Sequence, residues 1–375
     1  MQYALWRGRV LADYPFKHIA RKAPLALLAL VLLSAFGCGK RGVPLPPEER
    51  VQQRAELSGF QRGNQVILSW RMPARNAPVG SVQHIARVDV YRLAEPLSAP
   101  LTMSEEEFAA RSVIIASLPV TNADFGLKTM TYRDTLEFAG QPVRLRYSIR
   151  FANASGQRAA FSNFFLIEPA ARVANSPTSL SATVAQDAIA LAWTPPIQNV
   201  DGSTPANVLG YNVYRSPSAT EAAKLLNQTP VLQTNFADRT FEFTKEYFYF
   251  VRAVSVGTGG EPVESLESPI VAVRPVDTFP PSAPASITIA ATPTTISLFF
   301  PPNPETDTAG YRIYRTTDPN QPKAEWEQLT RDLQTANTYV DTRVESGKTY
   351  YYYITATDRF GNVSAPSEVV NETVP

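Results

Sequence analysis

An all-β chain made of three tandem β-sandwiches is the architecture the sequence predicts. Three observations lead there. A set of strand-like segments recurs three times along the 375 residues. Proline is abundant at 32 residues while long helical patterns are scarce, which favours short strands joined by turns. A hydrophobic fraction of 44% is ordinary for globular protein, and the length suffices for two or three separate cores. Cys38 is the only cysteine, so no intrachain disulfide framework is available and apolar burial must close each core.

The first element is an export leader. Lys17, Arg21 and Lys22 precede an apolar run at 23–37 that includes Leu25, Leu27, Leu28, Leu30, Leu32 and Leu33. A basic flank and an apolar core of about fifteen residues suit a secretory signal better than a spanning helix, which needs roughly twenty. The run ends in Ala35-Phe36-Gly37-Cys38-Gly39, which resembles the lipobox of bacterial lipoproteins. That resemblance implies a diacylglycerol thioether on Cys38, cleavage before it and acylation of its amine. It also makes the outer membrane the expected address, since Gly39 is not the aspartate linked with inner-membrane retention. The alternative is an uncleaved anchor helix with an incidental cysteine. Gly39, Gly42, Pro44, Pro46 and Pro47 then make a semi-extended tether.

The repeats follow. A strand ending in an aromatic occurs as Val66-Ile67-Leu68-Ser69-Trp70, Ile189-Ala190-Leu191-Ala192-Trp193 and Ile296-Ser297-Leu298-Phe299-Phe300, each followed by proline. Next come Val90-Tyr91-Arg92, Val213-Tyr214-Arg215 and Ile313-Tyr314-Arg315. An aromatic then lies two positions before an aspartate, as Tyr132 and Asp134, Phe236 and Asp238, Tyr339 and Asp341. Each repeat closes on a long alternating strand: Leu145, Tyr147, Ile149 and Phe151; Tyr247, Tyr249, Val251 and Ala253; Tyr350, Tyr352, Ile354 and Ala356. Period-two alternation sends these side chains inward and their neighbours outward.

A Trp-bearing early strand, a Tyr-bearing middle strand and a Tyr-rich late strand without cysteines resemble the fibronectin type III module. So do the linker Asp277-Thr278-Phe279-Pro280-Pro281-Ser282-Ala283-Pro284 and the stretch Ser346-Gly347-Lys348-Thr349-Tyr350. The resemblance implies immunoglobulin-like sandwiches of two antiparallel sheets with the Trp packed between them. The expected division is a signal peptide at 1–37, a lipidated tether at 38–52, and fibronectin type III-like domains at 53–170, 174–276 and 280–375. Short Pro-rich linkers at 169–177 and 275–284 favour a semi-rigid rod.

Domain 1 departs from the pattern. From Tyr91 to Phe151 is 60 positions, against 39 from Tyr214 to Ala253 and 42 from Tyr314 to Ala356. The surplus holds Ser104-Glu105-Glu106-Glu107-Phe108-Ala109-Ala110-Arg111, where Ser104 is placed to cap a short helix and Glu107 to reach back to it. This insertion reads either as a tolerated loop or as a specific contact surface.

Catalytic raw material is sparse. His84 is the one histidine after the leader and Cys38 the one thiol, so His- or Cys-dependent triads are not expected. Glu105, Glu106 and Glu107 occupy consecutive helical positions and cannot converge on one site. Asp134, Asp238 and Asp341 recur at equivalent places, which argues for a structural turn role. Asn303-Pro304-Glu305-Thr306-Asp307 offers oxygens to calcium but lacks the ligand ladder of a dedicated loop. No catalytic set, metal site or cofactor is assigned, and the chain is not expected to be an enzyme.

Binding candidates lie on the outward strand faces. Alternation turns Phe248, Phe250, Tyr351 and Tyr353 outward, with Tyr214 and Tyr314 beside them on the middle strands. Such clusters either stack on sugar rings or anchor a protein, or they pair across strands and only stabilise the sheet. In domain 1 the same face carries Arg144, Arg146 and Arg150 with Ser148 between, a basic stripe suited to anionic headgroups or a solvated strand face. Five of the 35 basic and one of the 34 acidic residues fall within 1–37, leaving 30 against 33 and a net charge of −3. Such a balance gives no electrostatic case for nucleic acid. The expected function is a lipid-anchored, non-catalytic envelope protein acting as a spacer and scaffold for an envelope protein partner. The alternative is an accessory lipoprotein that binds carbohydrate or cell-wall glycan. A host-matrix adhesin ranks last, since no Arg-Gly-Asp tripeptide occurs.

Overall fold

The computed structural model describes residues 54–138 and 142–375, so the leader, Cys38 and the tether lie outside the described residues. The described chain is all-β apart from one seven-residue helix and two short 3-10 turns, and it forms three sandwiches in sequence. No helix among the described residues is long and apolar enough to cross a membrane.

Unit 1 contains β1 (Leu57–Arg62), β2 (Gln65–Arg71), β3 (Arg87–Pro96), α1 (Glu105–Arg111), β4 (Val113–Pro119), β5 (Thr129–Thr135), β6 (Val143–Ala152) and β7 (Phe165–Ile167). Unit 2 contains β8 (Thr178–Val184), β9 (Ile189–Thr194), β10 (Gly210–Ser216), β11 (Lys224–Leu225), β12 (Asn235–Asp238), β13 (Tyr247–Val256), β14 (Pro262–Glu264) and β15 (Val271–Val273). Unit 3 contains β16 (Thr288–Ala291), β17 (Ile296–Phe299), β18 (Thr308–Thr316), β19 (Glu327–Gln328), β20 (Thr338–Asp341), β21 (Thr349–Asp358) and β22 (Val370–Thr373).

Each unit pairs one sheet of three strands, β1-β2-β5, β8-β9-β12 or β16-β17-β20, with a second sheet whose centre is a long antiparallel pair. Those central pairs are β3 with β6, β10 with β13 and β18 with β21. Alternation decides the cores as expected. Trp70, Leu145, Tyr147, Ile149 and Phe151 are buried in unit 1. Trp193, Tyr249, Val251 and Ala253 are buried in unit 2, and Phe300, Tyr352, Ile354 and Ala356 in unit 3.

Units 1 and 2 are joined through a shared sheet. Strand β14 pairs with β13 in unit 2 and runs parallel to β1 of unit 1, with Arg62 opposite Glu264. Gly63 N–H donates to Glu264 O at 2.7 Å. Gly63 stands at φ +53°, and a Cβ there would meet the Leu266 side chain at 3.0 Å, so glycine permits this close approach. Gln61 adds a reciprocal pair: its Nε2 donates to Ala170 O and its Oε1 accepts from Ala170 N, both at 2.8 Å.

Candidate interaction surface

The repeated motifs meet in one arrangement, built three times. Asp134, Asp238 and Asp341 sit on the three-stranded sheet of their units, and an Arg and a Tyr reach each of them from the facing sheet. In unit 1, Asp134 Oδ2 accepts from Tyr147 Oη at 2.6 Å and Arg92 Nη1 at 2.8 Å. In unit 2, Asp238 Oδ2 accepts from Tyr249 Oη at 2.8 Å and Arg215 Nη1 at 2.7 Å. In unit 3, Asp341 Oδ2 accepts from Tyr352 Oη at 2.9 Å and Arg315 Nη1 at 2.8 Å. Burial and the adjacent carboxylate push all three tyrosine hydroxyls far up, so they stay donors. Burial alone would raise Asp238, but bonds from Thr240, Tyr249 and Arg215 bring its carboxyl below the ordinary value. The aspartates therefore clamp the two sheets together, and Asp238 and Asp341 also hold the following turn by accepting from Thr240 N–H at 2.8 Å and Arg343 N–H at 2.9 Å. Alternation supplies the inward tyrosine, but nothing local in the sequence links it to an aspartate on the opposite sheet.

The outward aromatics are placed on the sheet faces turned away from these cores, and each unit covers them differently. In unit 1, Tyr91 packs against Phe161 at 5.0 Å, and Phe108 of α1 closes over Phe161 at 5.1 Å. Phe108 is fully buried. The insertion is thus an internal cover on its Phe108 side, while Glu106, Glu107, Ala109, Ala110 and Arg111 stay exposed. Ser104 caps α1 by accepting from Glu107 N–H at 3.1 Å. Glu107 does not reach back; its carboxylate takes Arg111 at 2.6 Å, one turn on.

The same cover corrects the expected basic stripe. Arg144 and Arg146 are 6% and 1% exposed, beneath the segment that follows β3. Arg146 donates to Glu95 Oε1 at 2.9 Å and to the carbonyls of Leu101 and Pro100. Arg144 donates to the Leu97 and Ala99 carbonyls. Arg150 lies over the Phe161 ring at 4.4 Å, and Ser148 is buried with its hydroxyl against Ser162. Arg144 and Arg146 cannot meet a membrane surface, because guanidiniums buried here must spend their donors on internal acceptors, and Arg150 is left half-buried.

In unit 2, Tyr214 and Phe250 face each other across β10 and β13 and stack at 5.0 Å. The Arg252 guanidinium lies 4.5 Å from the Tyr214 ring centre. Arg252 donates to Glu264 Oε2 at 2.8 Å and Glu267 Oε1 at 2.7 Å, and Asn212 and Tyr214 donate to Glu264 Oε1. Arg62 of unit 1 approaches the same two carboxylates at 3.9 and 3.8 Å. Burial and the Glu264 contact push the Tyr214 hydroxyl up to about 12. Burial opposes ionisation of Glu264, but its Asn212, Tyr214 and Arg252 donors hold it below the usual range. Glu267 is lowered likewise, chiefly through a backbone donor and Arg252. Phe248 stays half-buried on this face.

In unit 3, Tyr314 and Tyr353 stack at 4.6 Å, and Trp326 tilts onto Tyr353 at 5.0 Å. Tyr353 points away from the core as alternation requires, yet it is only 5% exposed, and its hydroxyl donates to Lys323 O at 3.0 Å. Tyr314 and Tyr351 remain half-buried. The structure therefore brings Tyr214 with Phe250 and Tyr314 with Tyr353, and leaves Phe248 and Tyr351 at the flanks. Trp326 and Phe108 are covering residues that strand periodicity does not reveal, since they come from other segments, whereas Arg252 follows Phe250 at the next outward position of β13.

A groove of about 570 Å³ opens beside the Tyr214 and Phe250 stack, at the seam between units 1 and 2. Arg62, Arg133 and Glu267 line it with the two rings. A second cleft of about 770 Å³ at the same seam is lined by Leu97, Phe138, Leu145 and Asp201.

No family model matches the sequence. A stretch of 240 residues is 29% identical to Exoglucanase B of Cellulomonas fimi, covering 60% of this chain and 20% of that protein. The chain thus spans about a fifth of the length of that relative. Among solved structures, it aligns with the FN1-FN3 domains of chicken CNTN1 at 13% identity, over 85% of this chain and 98% of that one, with a TM-score of 0.26.

Proposed function

We propose that this chain is a non-catalytic cell-envelope protein, held to a membrane, the outer one by its leader, through lipid on Cys38, in which linked sandwiches act as a stiff spacer and interaction scaffold. The observation that carries the reading is the seam between units 1 and 2. Backbone pairing of β1 with β14 and the Arg62, Glu264, Arg252 and Glu267 network join the units by more than a covalent linker. Independent domains move relative to each other by default unless their interface is extensive, so such a seam serves a protein that must hold a surface at a set distance. Spin labels at exposed Thr131 and Ala190, in a Cys38→Ser background, are expected to report one narrow distance distribution. Arg62→Ala with Glu264→Ala is expected to broaden it. A broad distribution in the parent would remove the spacer reading.

A carbohydrate-associated accessory role is the second reading. It is favoured by the groove beside Tyr214, where aromatic rings stand among Arg and Glu side chains, and by the partial similarity to a protein named as an exoglucanase. Ring stacking combined with charged hydrogen-bonding groups is the chemistry that recognises sugars. Pelleting of the protein with cell-wall sacculi, reduced several-fold by Arg133→Ala, is the expected result. Arg133 is exposed, so the change leaves the fold intact. Equal pelleting of parent and variant would place any glycan contact elsewhere.

A further inference from the structure

Three aspartates meet where unit 2 passes into unit 3. Asp277 lies in the Pro-rich linker, Asp307 in the loop leading to β18, and Asp358 at the end of β21. One carboxylate oxygen from each lies within 4.8 Å of the others. Asp277 is 6% exposed and Asp358 is 2% exposed. Negative charges gathered this closely out of water oppose one another strongly unless a positive charge joins them. Among the described residues, no Lys or Arg makes an ion pair with any of the three.

The hydrogen bonds do not resolve the conflict. Asp358 is well served: Oδ1 accepts from Phe360 N and Asn362 N, and Oδ2 from Asn362 Nδ2, each at 2.8 Å. Asp277 Oδ1 accepts from Phe279 N at 3.0 Å. Asp277 Oδ2 is buried and accepts from no donor, which leaves it as the oxygen available to the other two carboxylates. A buried oxygen without a donor, beside two like charges, is costly and calls for an explanation.

The turn itself does not require an acid. Gly310 pairs with Thr357 in unit 3, and Gly210 pairs with Val254 in unit 2, so Ser255 is the counterpart of Asp358. Ser255 accepts from Ala174 N at 2.9 Å, and a neutral hydroxyl thus completes the earlier junction. The acidic set is peculiar to the junction of units 2 and 3.

We propose that Asp277, Asp307 and Asp358 form a calcium site at that junction. Calcium takes six to eight oxygen ligands in flexible geometry, so three carboxylates from separate segments suit it, with backbone carbonyls and water completing the shell. Magnesium demands a near-ideal octahedron and suits such a set less well. The cation would tie the linker to two loops of unit 3, next to the contact of Phe243 with Phe360 at 5.6 Å. This inference is independent of the spacer and glycan readings.

The test is calorimetric titration of the chelated full-length protein with calcium chloride, alongside thermal unfolding. One saturable site is expected, with a dissociation constant of about 10⁻⁴ to 10⁻³ M, as in extracellular modules. At 10 mM calcium, roughly ten times that constant or more, melting is expected to rise by about 3 °C or more, and by less with magnesium. Asp307→Asn, at a half-buried position, is expected to weaken binding at least about tenfold. Asp277→Asn is expected to lose the calcium response and to melt higher than the parent in chelator, because the repulsion is gone. A purely structural carboxylate would not give that gain. Absence of both saturable heat and a melting shift would overturn the proposal. So would Asp307→Asn and Asp277→Asn variants that bind like the parent, or a magnesium response equal to that of calcium.

Discussion

Asp238 shows what one side chain contributes to this fold. Its carboxylate takes a tyrosine and an arginine from the opposite sheet, and both lose their acceptor if it is removed. The Arg215 and Asp238 side chains are 17% and 2% exposed, so solvent replaces neither partner well. Asp238→Ala is therefore expected to cost about 3–5 kcal/mol in urea unfolding, the range for breaking a buried pair from one side. Tyr249→Phe removes a single bond and is expected to cost about 1 kcal/mol. The Asp238 carboxyl lies below its ordinary value of 3.8. Its contribution is thus complete above that value and is lost as the pH falls through the depressed one. The cost of Asp238→Ala is expected to shrink accordingly in acid. An aspartate repeated at one position was legible in the sequence, but its partners were not. Arg215 and Tyr249 lie 23 and 11 residues away, and only the facing of two sheets brings them together.

Among the elements, helix α1 was legible and its purpose was not. Ser104 before a short apolar-spaced run signals a helix start, and the helix spans Glu105–Arg111. What α1 covers depends on the outward face of β3 and β6, which carries Tyr91 among several polar residues, Asp89, Glu95, Arg144 and Arg146 included, that no local pattern marks for burial. Each unit meets the same difficulty, an aromatic on the wrong side of the sheet, with a different cover: Phe108, Arg252 or Trp326. Phe108→Ala is expected to destabilise unit 1 by about 3–5 kcal/mol, as for a fully buried aromatic. Ser104→Ala should cost about 1 kcal/mol, the loss of a helix cap. Differential scanning calorimetry separates the two effects, and equal losses would show that Phe108 does not hold the cover in place.

At the scale of the whole molecule, the seam between units 1 and 2 makes the linkers more than hinges. Parallel pairing of β1 with β14 extends one sheet across both units. Where that assembly is held is a separate matter, and the proposed lipid on Cys38 is open to a direct test. Cys38→Ser is expected to abolish incorporation of labelled fatty acid and to release the protein from the membrane fraction. Unchanged labelling would remove the lipid-anchored reading.

By itself the sequence determined the three sandwiches, the inward set of each long strand and the short helix. These follow from period-two alternation, from capping chemistry and from proline placement, all of which act within a few residues. Tertiary structure alone decided the rest. It showed that Arg144 and Arg146 are covered, that Tyr353 lies under Trp326, and that Asp277, Asp307 and Asp358 converge. A strand pattern tells which side of a sheet a residue occupies. Whether that side meets water depends on segments distant in the chain, whose packing energy is set only once the whole surface is assembled.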